Sequence, residues 1–346
     1  MQVIGHSVLY SIIAFFVFFN SLNAGSYPNK NVDRLISSGA DYLLNHNYEA
    51  AKYKFIELNK LYPKLPLGKI YLAVLEIAVS LEYSEKFNEY KIEKLLDDAK
   101  ELSDSLYKSN KKDLWNTYFV ALSKGYDAYY KGMNGDYLSA ITNGISSISY
   151  YEKCLELDSL FYDSYIALGT YYYWKSAKTK SLTWLPFVSD DRPLGKRLLE
   201  KSVYKDTYGR FLGAYSLVWI YIENKELNNA INLCKDVLKE YPNNRLFKLS
   251  LARIYTEIDK NKAIALFNEV LNAVMQLDRN NHITEIELKH KIAMQYNDLG
   301  KYEKALEYCN NILQIKLKDR YAKEQLSSRL ERVKNLKEEL LDKLKK

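Results

Sequence analysis

The sequence predicts an all-α fold, an α-solenoid in which antiparallel helix pairs stack along the chain. Two observations predict it. Glycine and proline are scarce, at 13 and 6 of 346 residues, and long runs of Leu, Lys, Glu, Ala and Tyr pass without the alternation of a β-strand. In addition, one pattern of large and small residues recurs at a spacing of about 34 residues. Units of this kind bury their apolar faces against their neighbours and form one continuous stack.

The repeated unit has the same residue types at the same spacing each time. In the first unit Gly39 precedes Tyr42, and Ala51, Phe55 and Pro63 follow in the second half. This pattern resembles the tetratricopeptide repeat. It predicts a repeat domain of residues 25–319 with roughly seven helix pairs. Clear repeats lie near residues 32–65, 162–210, 211–244, 245–281 and 286–319, and the two pairs between the first and second of these are degenerate, with longer helices.

Small residues explain how the two helices of a pair approach each other closely. We expect a small residue on the first helix to face a small residue on the second. The first-helix residues are Gly39, Gly169, Ala252 and Ala293, and the second-helix residues include Ala51, Ala230, Ala263 and Ala305. The recurring tyrosines are expected to pack between helices with the hydroxyl at an edge. They are Tyr42, Tyr172, Tyr221, Tyr255 and Tyr296.

The end of the chain predicts a capping helix over residues 320–346. Apolar residues lie along one side of this helix and charged residues along the other, with nine Lys or Arg against five Asp or Glu. The apolar residues are Leu326, Leu330, Val333, Leu336, Leu340 and Leu344. A basic amphipathic tail that touches anionic lipid or an acidic partner is the alternative, but the mixed charges favour a solvated cap.

The first 24 residues predict a signal peptide. The apolar run from Val8 to Phe19 is about 12 residues long, shorter than the roughly 20 that span a bilayer, and polar and small residues lead to Ala24. We expect cleavage after Ala24, export to the periplasm or cell envelope with peripheral association there, and no transmembrane span in the mature chain. The start of the chain carries no Lys or Arg, so an uncleaved anchor is the alternative.

Composition and cysteines narrow the class of protein. The chain is 47% apolar and 27% charged, which argues against disorder and against many membrane spans. Cys154, Cys234 and Cys309 lie far apart inside helical patterns, and we expect buried free thiols. No Cys/His cluster occurs, so we predict no metal site and no cofactor. Charges of both signs are mixed without a basic stripe, so we expect no nucleic-acid partner.

An insertion, residues 176–194, interrupts the repeat that begins near Tyr162. Asp190 and Asp191 stand where the next helix needs an N-cap, and Pro193 suits its first turn. Gly195 then takes the close-packing role that alanine has in other repeats. We therefore expect a structural task for the end of this insertion.

Aromatic side chains mark the candidate binding site. In this repeat class, side chains on the first helix opposite the packing surface line the concave face, and aromatic anchors there often dominate binding. The inserted loop contributes apolar side chains that need cover, either as a plug of its own groove or as a flap beside a ligand groove. The candidate groove residues are Tyr173, Trp174, Trp184, Phe187, Tyr215 and Trp219.

The resemblance to tetratricopeptide repeat proteins implies a right-handed superhelix that holds a partner protein or peptide in its concave face. The chain lacks the basic clamp with which chaperone-binding members hold a C-terminal carboxylate, and its aromatics favour a more apolar or carbohydrate-like ligand. The central passage with the loop WLPFVSDDRP also resembles the bacterial relatives of the Iml2/TTC39-type repeat proteins.

We therefore predict a scaffold of the cell envelope that binds a partner protein or peptide and has no catalysis of its own. The alternative is a small-ligand or glycan binder that uses the aromatic groove under the loop. A helical hydrolase is a third hypothesis, because Asp190 and Asp191 could supply two carboxylates. Adjacent carboxylates point in different directions, however, and helix capping explains them better. No glycine-rich phosphate loop, serine nucleophile elbow or HExxH motif occurs in the sequence.

Overall fold

The computed structural model describes residues 26–179, 189–279 and 281–345, and the predicted signal peptide lies outside these ranges. All regular secondary structure in them is α-helical, which confirms the predicted fold class. No helix in these ranges is both long and apolar enough to cross a membrane. The described helices are α1 (Lys30–Leu44), α2 (Tyr48–Leu61), α3 (Leu67–Glu82), α4 (Glu89–Ser109), α5 (Leu114–Met133), α6 (Tyr137–Leu157), α7 (Tyr162–Lys178), α8 (Arg192–Ser202), α9 (Arg210–Glu223), α10 (Leu227–Glu240), α11 (Arg245–Ile258), α12 (Lys260–Met275), α13 (Ile283–Asp298), α14 (Tyr302–Gln314) and α15 (Arg320–Leu344).

These helices follow one another along the chain, and five successive pairs of them pack directly, as the repeat predicts. Direct packing within a pair joins α1 to α2, α5 to α6, α7 to α8, α11 to α12 and α13 to α14. Helices α4, α5 and α6 have 21, 20 and 21 residues, whereas α9, α10 and α11 have 14 each. The longer helices of the second and third pairs explain why the repeat pattern loosens there.

The chain divides into two compact units. The first comprises the chain up to Ala78 together with Phe87–Asn229, and the second comprises Val79–Lys86 together with Ala230–Lys346. Each unit is described separately below.

Asparagine and aspartate set the start of many helices. Their side-chain oxygens accept backbone N–H bonds from the first helical turn, which has no partners within the helix. This arrangement starts α1, α2, α4, α5, α6, α11, α12 and α15. The capping residues are Asn29, Asn47, Asn88, Asp113, Asp136, Asn244, Asp259 and Asp319.

Two glycines bring α7 and α8 into direct backbone contact. A Cβ atom placed on Gly169 would lie 2.8 Å from the carbonyl oxygen of Gly195, and one placed on Gly195 would lie 2.5 Å from the carbonyl oxygen of Gly169. Carbon and oxygen atoms cannot approach this closely without bonding. The predicted close-packing role of Gly195 is therefore confirmed.

Gly39 plays a different part from the one expected. A Cβ atom on Gly39 would lie 2.3 Å from the Phe55 ring, so the glycine makes room for a large ring and not only for a small residue such as Ala51. The expectation that small residues face small residues is wrong at this position, because Phe55 reaches across the helix interface. Phe55 also stacks on Tyr71 of α3, at 5.4 Å between ring centroids. Alanines at the other expected contact positions are completely buried, at Ala51, Ala230, Ala252, Ala263, Ala293 and Ala305.

The recurring tyrosines mostly bridge neighbouring helices, as expected. Tyr172 on α7 donates its hydroxyl to Glu152 on α6 at 2.8 Å, and Tyr221 on α9 donates to Glu200 on α8 at 3.1 Å. Tyr42 differs because it is exposed to solvent.

Helix α15 closes the second unit. Its residues Leu326, Val333 and Leu340 are fully or almost fully buried in one cluster with apolar residues of α13 and α14. Leu344, at the end of the predicted apolar side, is exposed. The predicted capping helix is confirmed.

The three cysteines are free and buried, as predicted. Burial raises the pKa of the Cys154 thiol to about 12 and that of the Cys309 thiol to about 11, and it also raises the pKa of Cys234. These thiols therefore stay protonated near neutral pH, and the thiolate is the reactive form.

Candidate functional site

Four of the predicted groove residues lie on two neighbouring helices of the first unit. We call Tyr173 and Trp174 on α7 and Tyr215 and Trp219 on α9 the aromatic cluster. The rings of Tyr173 and Trp174 meet edge to face at 5.2 Å, and those of Tyr215 and Trp219 do so at 6.2 Å. Edge-to-face contact at this separation is favourable for aromatic rings.

Hydrogen bonds tie this cluster together across the two helices. The Tyr173 hydroxyl donates to Asn224 Oδ1 at 2.8 Å, at the end of α9. Trp174 Nε1 donates to Ser216 Oγ at 3.4 Å, in the middle of α9. Two residues on α7 are thus anchored on α9.

Three members of the aromatic cluster are almost completely buried. The exposed fractions of Tyr173, Trp174 and Tyr215 are 1%, 8% and 7%. Burial, with the nearby carboxylate of Glu223 adding to it, raises the pKa of Tyr173 to about 12. A sugar that stacks on an aromatic ring needs an exposed ring face, and these three rings do not present one.

Trp219 differs from its neighbours. Its side chain is only partly buried, yet its indole Nε1 is shielded from solvent and has no hydrogen-bond partner. A buried polar group without a partner costs free energy, so this N–H is an unsatisfied donor, which a ligand can reach only when the side chains that shield it move. The predicted residues Trp184 and Phe187 lie outside the described residues, so the plug and the flap both stay predictions.

The C-terminal end of the insertion is held by an ion pair and by a serine. Helix α7 continues to Lys178 and α8 begins at Arg192, so both helices extend into the predicted insertion 176–194. Lys175 Nζ donates to Asp191 Oδ2 at 2.8 Å, and the Asp191 backbone N–H donates to Ser176 Oγ at 2.9 Å. The C-terminal end of the insertion is therefore anchored on α7.

Asp190 and Asp191 are both engaged in local structure. Asp191 is the N-cap of α8, and Pro193 lies in the first turn, as predicted. The Asp191 side chain makes no cap hydrogen bond; Asp190 Oδ1 accepts the Arg192 backbone N–H at 3.2 Å, and the Asp190 carboxylate also binds the Arg192 guanidinium. The hydrogen bond from Lys175 lowers the pKa of Asp191, whereas a general acid at neutral pH needs a raised one. The described residues contain no group of three or more His, Cys, Asp or Glu able to hold a metal ion.

The sequence did not reveal a buried polar chain in the first unit. The Tyr208 hydroxyl donates to Asp33 Oδ1 at 2.5 Å and accepts the Tyr27 backbone N–H at 2.8 Å. The Tyr27 ring packs edge to face on Trp115 at 5.1 Å. We call Tyr27, Asp33 and Tyr208 the clasp, because it joins the segment before α1 to the loop between α8 and α9.

Asp163 holds the same loop from the other side. Its carboxylate accepts the backbone N–H groups of Gly209 at 2.7 Å and of Tyr208 at 3.3 Å. Burial raises its pKa to about 7 although these two hydrogen bonds lower it. Asp33 and Asp163 each lie six residues before the glycine of their repeat, Gly39 and Gly169, and this shared register was the available signal.

Buried phenols surround Asp163. Tyr71, Tyr118 and Tyr126 are almost fully buried, and burial first and the Asp163 charge second raise the pKa of Tyr126 far above its usual value. Side chains of α3, α5 and α7 thus fill the inner part of the first unit.

Solved structures with similar folds share helical repeats with this chain. One is a chain of the APC/C hetero-tetramer Cut9–Hcn1, with 12% identity and a TM-score of 0.52, over 92% of this chain and 53% of that one. Another is the human IFIT1 dimer with m7Gppp-AAAA, with 14% identity and a TM-score of 0.50, over 92% of this chain and 71% of that one. YrrB, described as a TPR protein with an unusual peptide-binding site, has 18% identity and a TM-score of 0.41, over 65% of this chain and 97% of that one.

This chain has the helical-repeat fold of tetratricopeptide proteins. The recurring sequence pattern predicts it, and the packed helix pairs and the global match to two solved structures agree on a helical-repeat fold. No protein-family model and no curated protein matches the sequence. The relation to Iml2/TTC39-type proteins stays a prediction.

The repeat register relates the members of the aromatic cluster to one another. Gly169 and Val218 stand at the same position of their repeats. Tyr173 and Trp174 on α7 follow Gly169 by four and five residues, and Tyr215 and Trp219 on α9 lie three before and one after Val218. In this chain only Trp219 among the four keeps an appreciable exposed fraction.

Proposed function

We propose that this protein is a non-enzymatic scaffold that binds a partner protein or peptide on its helical repeats. The fold supports this proposal, because stacked helix pairs offer an extended surface for proteins. The proposed contact point is Trp219 on α9, the accessible member of the aromatic cluster.

The observation on which this contact point rests is the unpaired indole N–H of Trp219. A peptide in extended conformation offers a backbone carbonyl at every residue, and one such carbonyl would satisfy this donor once the side chains that shield it move aside. Tryptophan is also among the residues that contribute most to protein interfaces. The apolar ring and the single donor together favour a peptide segment with an apolar side chain beside a free carbonyl.

We further propose that the protein works outside the cytoplasm, in the periplasm or attached to the cell envelope. The apolar run from Val8 to Phe19 and the small residue Ala24 support this location. The buried thiols are compatible with it, because the described cysteines do not depend on a reducing compartment to stay unpaired. N-terminal sequencing of the protein from the cell envelope tests the proposal, with Gly25 as the expected first residue and an intact or cytoplasmic chain as the contrary result.

Site-specific photo-crosslinking tests the partner site. A photoreactive amino acid replaces Trp219 in one variant and Tyr296, a partly buried residue of the second unit, in a control variant. We expect a discrete crosslinked protein from position 219 in intact cells and none from position 296. Equal crosslinking at both positions, or none at either, would contradict the proposed site.

A matched pair of tryptophan variants tests the hydrogen bond. Trp219→Phe removes a free N–H, whereas Trp174→Phe removes an N–H already bound to Ser216. We expect the first variant to weaken capture of the crosslinked partner by about tenfold while its thermal stability is unchanged. The second is expected to lower thermal stability instead. If Trp219→Phe binds the partner as the parent does, a peptide carbonyl is not the ligand of this group.

A further inference from the structure

Helix α6 exposes an apolar stripe that no other helix of the described chain covers. Leu138, Ile141 and Ile145 have exposed fractions of 81%, 60% and 55%, and Tyr137 beside them has 53%. The spacing of three and four residues puts Leu138, Ile141 and Ile145 on one side of the helix. Solvent-exposed side chains of this size in one contiguous row mark an interaction surface.

The stripe is uncharged. From Tyr137 to Tyr151 the sequence YLSAITNGISSISYY contains no Asp, Glu, Lys or Arg, in a chain of which 27% is charged. The nearest preceding charge, Asp136, caps the start of α6 through the Ser139 N–H. The helix therefore presents two turns of apolar surface between small polar residues such as Thr142 and Ser149.

We propose that this stripe is a two-fold interface between two copies of the chain, formed by antiparallel packing of α6 on α6. Between Tyr137 and Tyr151 the helix brings no charge of its own to such a contact, so two copies can pack there without repulsion between like charges. The proposal goes beyond the partner-binding function proposed above and involves a different helix.

The spacing of the stripe fits two-fold symmetry. An axis between residues 141 and 142 sets Leu138 against Ile145 of the second copy and Ile141 against Thr142 of the second copy. Asp136 then stands level with Ser147, which is buried against α5, and meets no second carboxylate. Side chains of similar size thus oppose each other along the whole stripe.

A membrane surface fits the stripe less well. Helices that lie on membranes carry Lys and Arg on their polar face, next to the apolar one, and attract anionic lipid with them. The sequence from Tyr137 to Tyr151 has none. On the adjoining helix α5, Lys131 is held in an ion pair with Glu93.

Disulfide trapping tests the interface directly. Thr142 is exposed, and near the two-fold axis a cysteine at this position lies within reach of its copy. The described cysteines are all buried and do not compete. We expect Thr142→Cys to form a covalent dimer under mild oxidation, and the control Tyr90→Cys, an equally exposed position on α4, to remain a monomer. Equal or absent trapping in the two variants overturns the proposal.

Sedimentation over a range of concentrations gives an independent test. The parent chain is expected to approach twice the monomer mass as concentration rises. Ile141→Glu is expected to raise the dimer dissociation constant by at least about tenfold. Tyr53→Glu, at an exposed tyrosine of α2, is expected to leave it unchanged. Circular dichroism checks that both variants fold. A parent chain that stays monomeric at every concentration overturns the proposal. Binding of the parent chain to phospholipid vesicles without dimer formation overturns it as well.

Discussion

The hydroxyl of Tyr208 donates a hydrogen bond to the carboxylate of Asp33 at 2.5 Å, across 175 residues of sequence. The same hydroxyl accepts the backbone N–H of Tyr27. One side chain of the loop between α8 and α9 thus fixes both α1 and the segment in front of it. The first unit is closed by this clasp as well as by the packing of successive helix pairs.

Removal of the Tyr208 hydroxyl is expected to destabilise the protein. In Tyr208→Phe the buried Asp33 carboxylate loses its donor and the Tyr27 N–H loses its acceptor, at a cost of about 2 to 4 kcal/mol in the free energy of unfolding. Urea denaturation followed by circular dichroism measures it. Tyr53→Phe, at an exposed ring, is the control with an expected change near zero. A Tyr208→Phe variant as stable as this control would show that the clasp adds nothing.

Asp163 is expected to make stability depend on pH. Its pKa is about 7 in the folded chain and near 3.8 when unfolded, so between these values the folded state binds more protons. The free energy of unfolding should therefore fall as pH rises from about 4 to 7, by up to roughly 4 kcal/mol, and then level off. Asp163→Asn cannot titrate and should lack this dependence.

The comparison with the variant is needed because His290 acts in the opposite direction. Burial first, and the nearby charge of Arg329 second, lower the pKa of His290 to about 4, so its contribution to stability is lost as pH falls below 6.5. The measured quantity is the difference in melting temperature between Asp163→Asn and the parent at pH 5 and at pH 8. The melting temperature of Asp163→Asn, relative to that of the parent, should be higher at pH 8 than at pH 5. A difference that does not change with pH would rule out Asp163 as the titrating group.

Substitution of Gly195 by alanine is expected to separate α7 from α8. The new methyl group would lie 2.5 Å from the Gly169 carbonyl oxygen and 2.6 Å from the Tyr173 backbone nitrogen, which cannot move aside as a flexible side chain can. We expect a loss of about 2 to 3 kcal/mol. Gly144→Ala is a matched control on α6, because its methyl group meets only Ala128 at 3.8 Å and should be neutral or slightly stabilising. Thermal denaturation of the two variants should separate them clearly.

The three thiols are expected to resist labelling in the folded protein. Cys154, Cys234 and Cys309 are buried and their pKa values are raised, so little thiolate is available. A chromogenic disulfide reagent at pH 8 should detect no rapidly reacting thiol in the native protein and three in denaturant. A thiol that reacts rapidly with the reagent in the native protein would mean that a helix pair opens readily.

Local sequence pattern was sufficient for the helix pairs and their contacts. The position of Gly195, the N-cap position of Asp191 and the apolar side of α15 each depend on neighbours within a few residues or within one repeat. The Phe55 ring opposite Gly39 was missed because the pattern gives the size of each residue and not the direction of its side chain.

The sequence pattern could not predict long-range contacts. The repeat register predicted Tyr173, Trp174 and Tyr215 on the concave face, but it does not predict which other side chains pack against them. In the first unit these positions meet other side chains, and so three of the four rings are buried. Tyr27 and Tyr208 lie 181 residues apart, and no periodic feature links them.

The mutual contact of Gly169 and Gly195 has a consequence for the divergence of this chain. Each glycine occupies space that the other would need for a side chain, so a change at either position must be accompanied by a shift of a whole helix. Among related sequences these two positions should therefore be retained or lost together, whereas surface positions between them are free to drift.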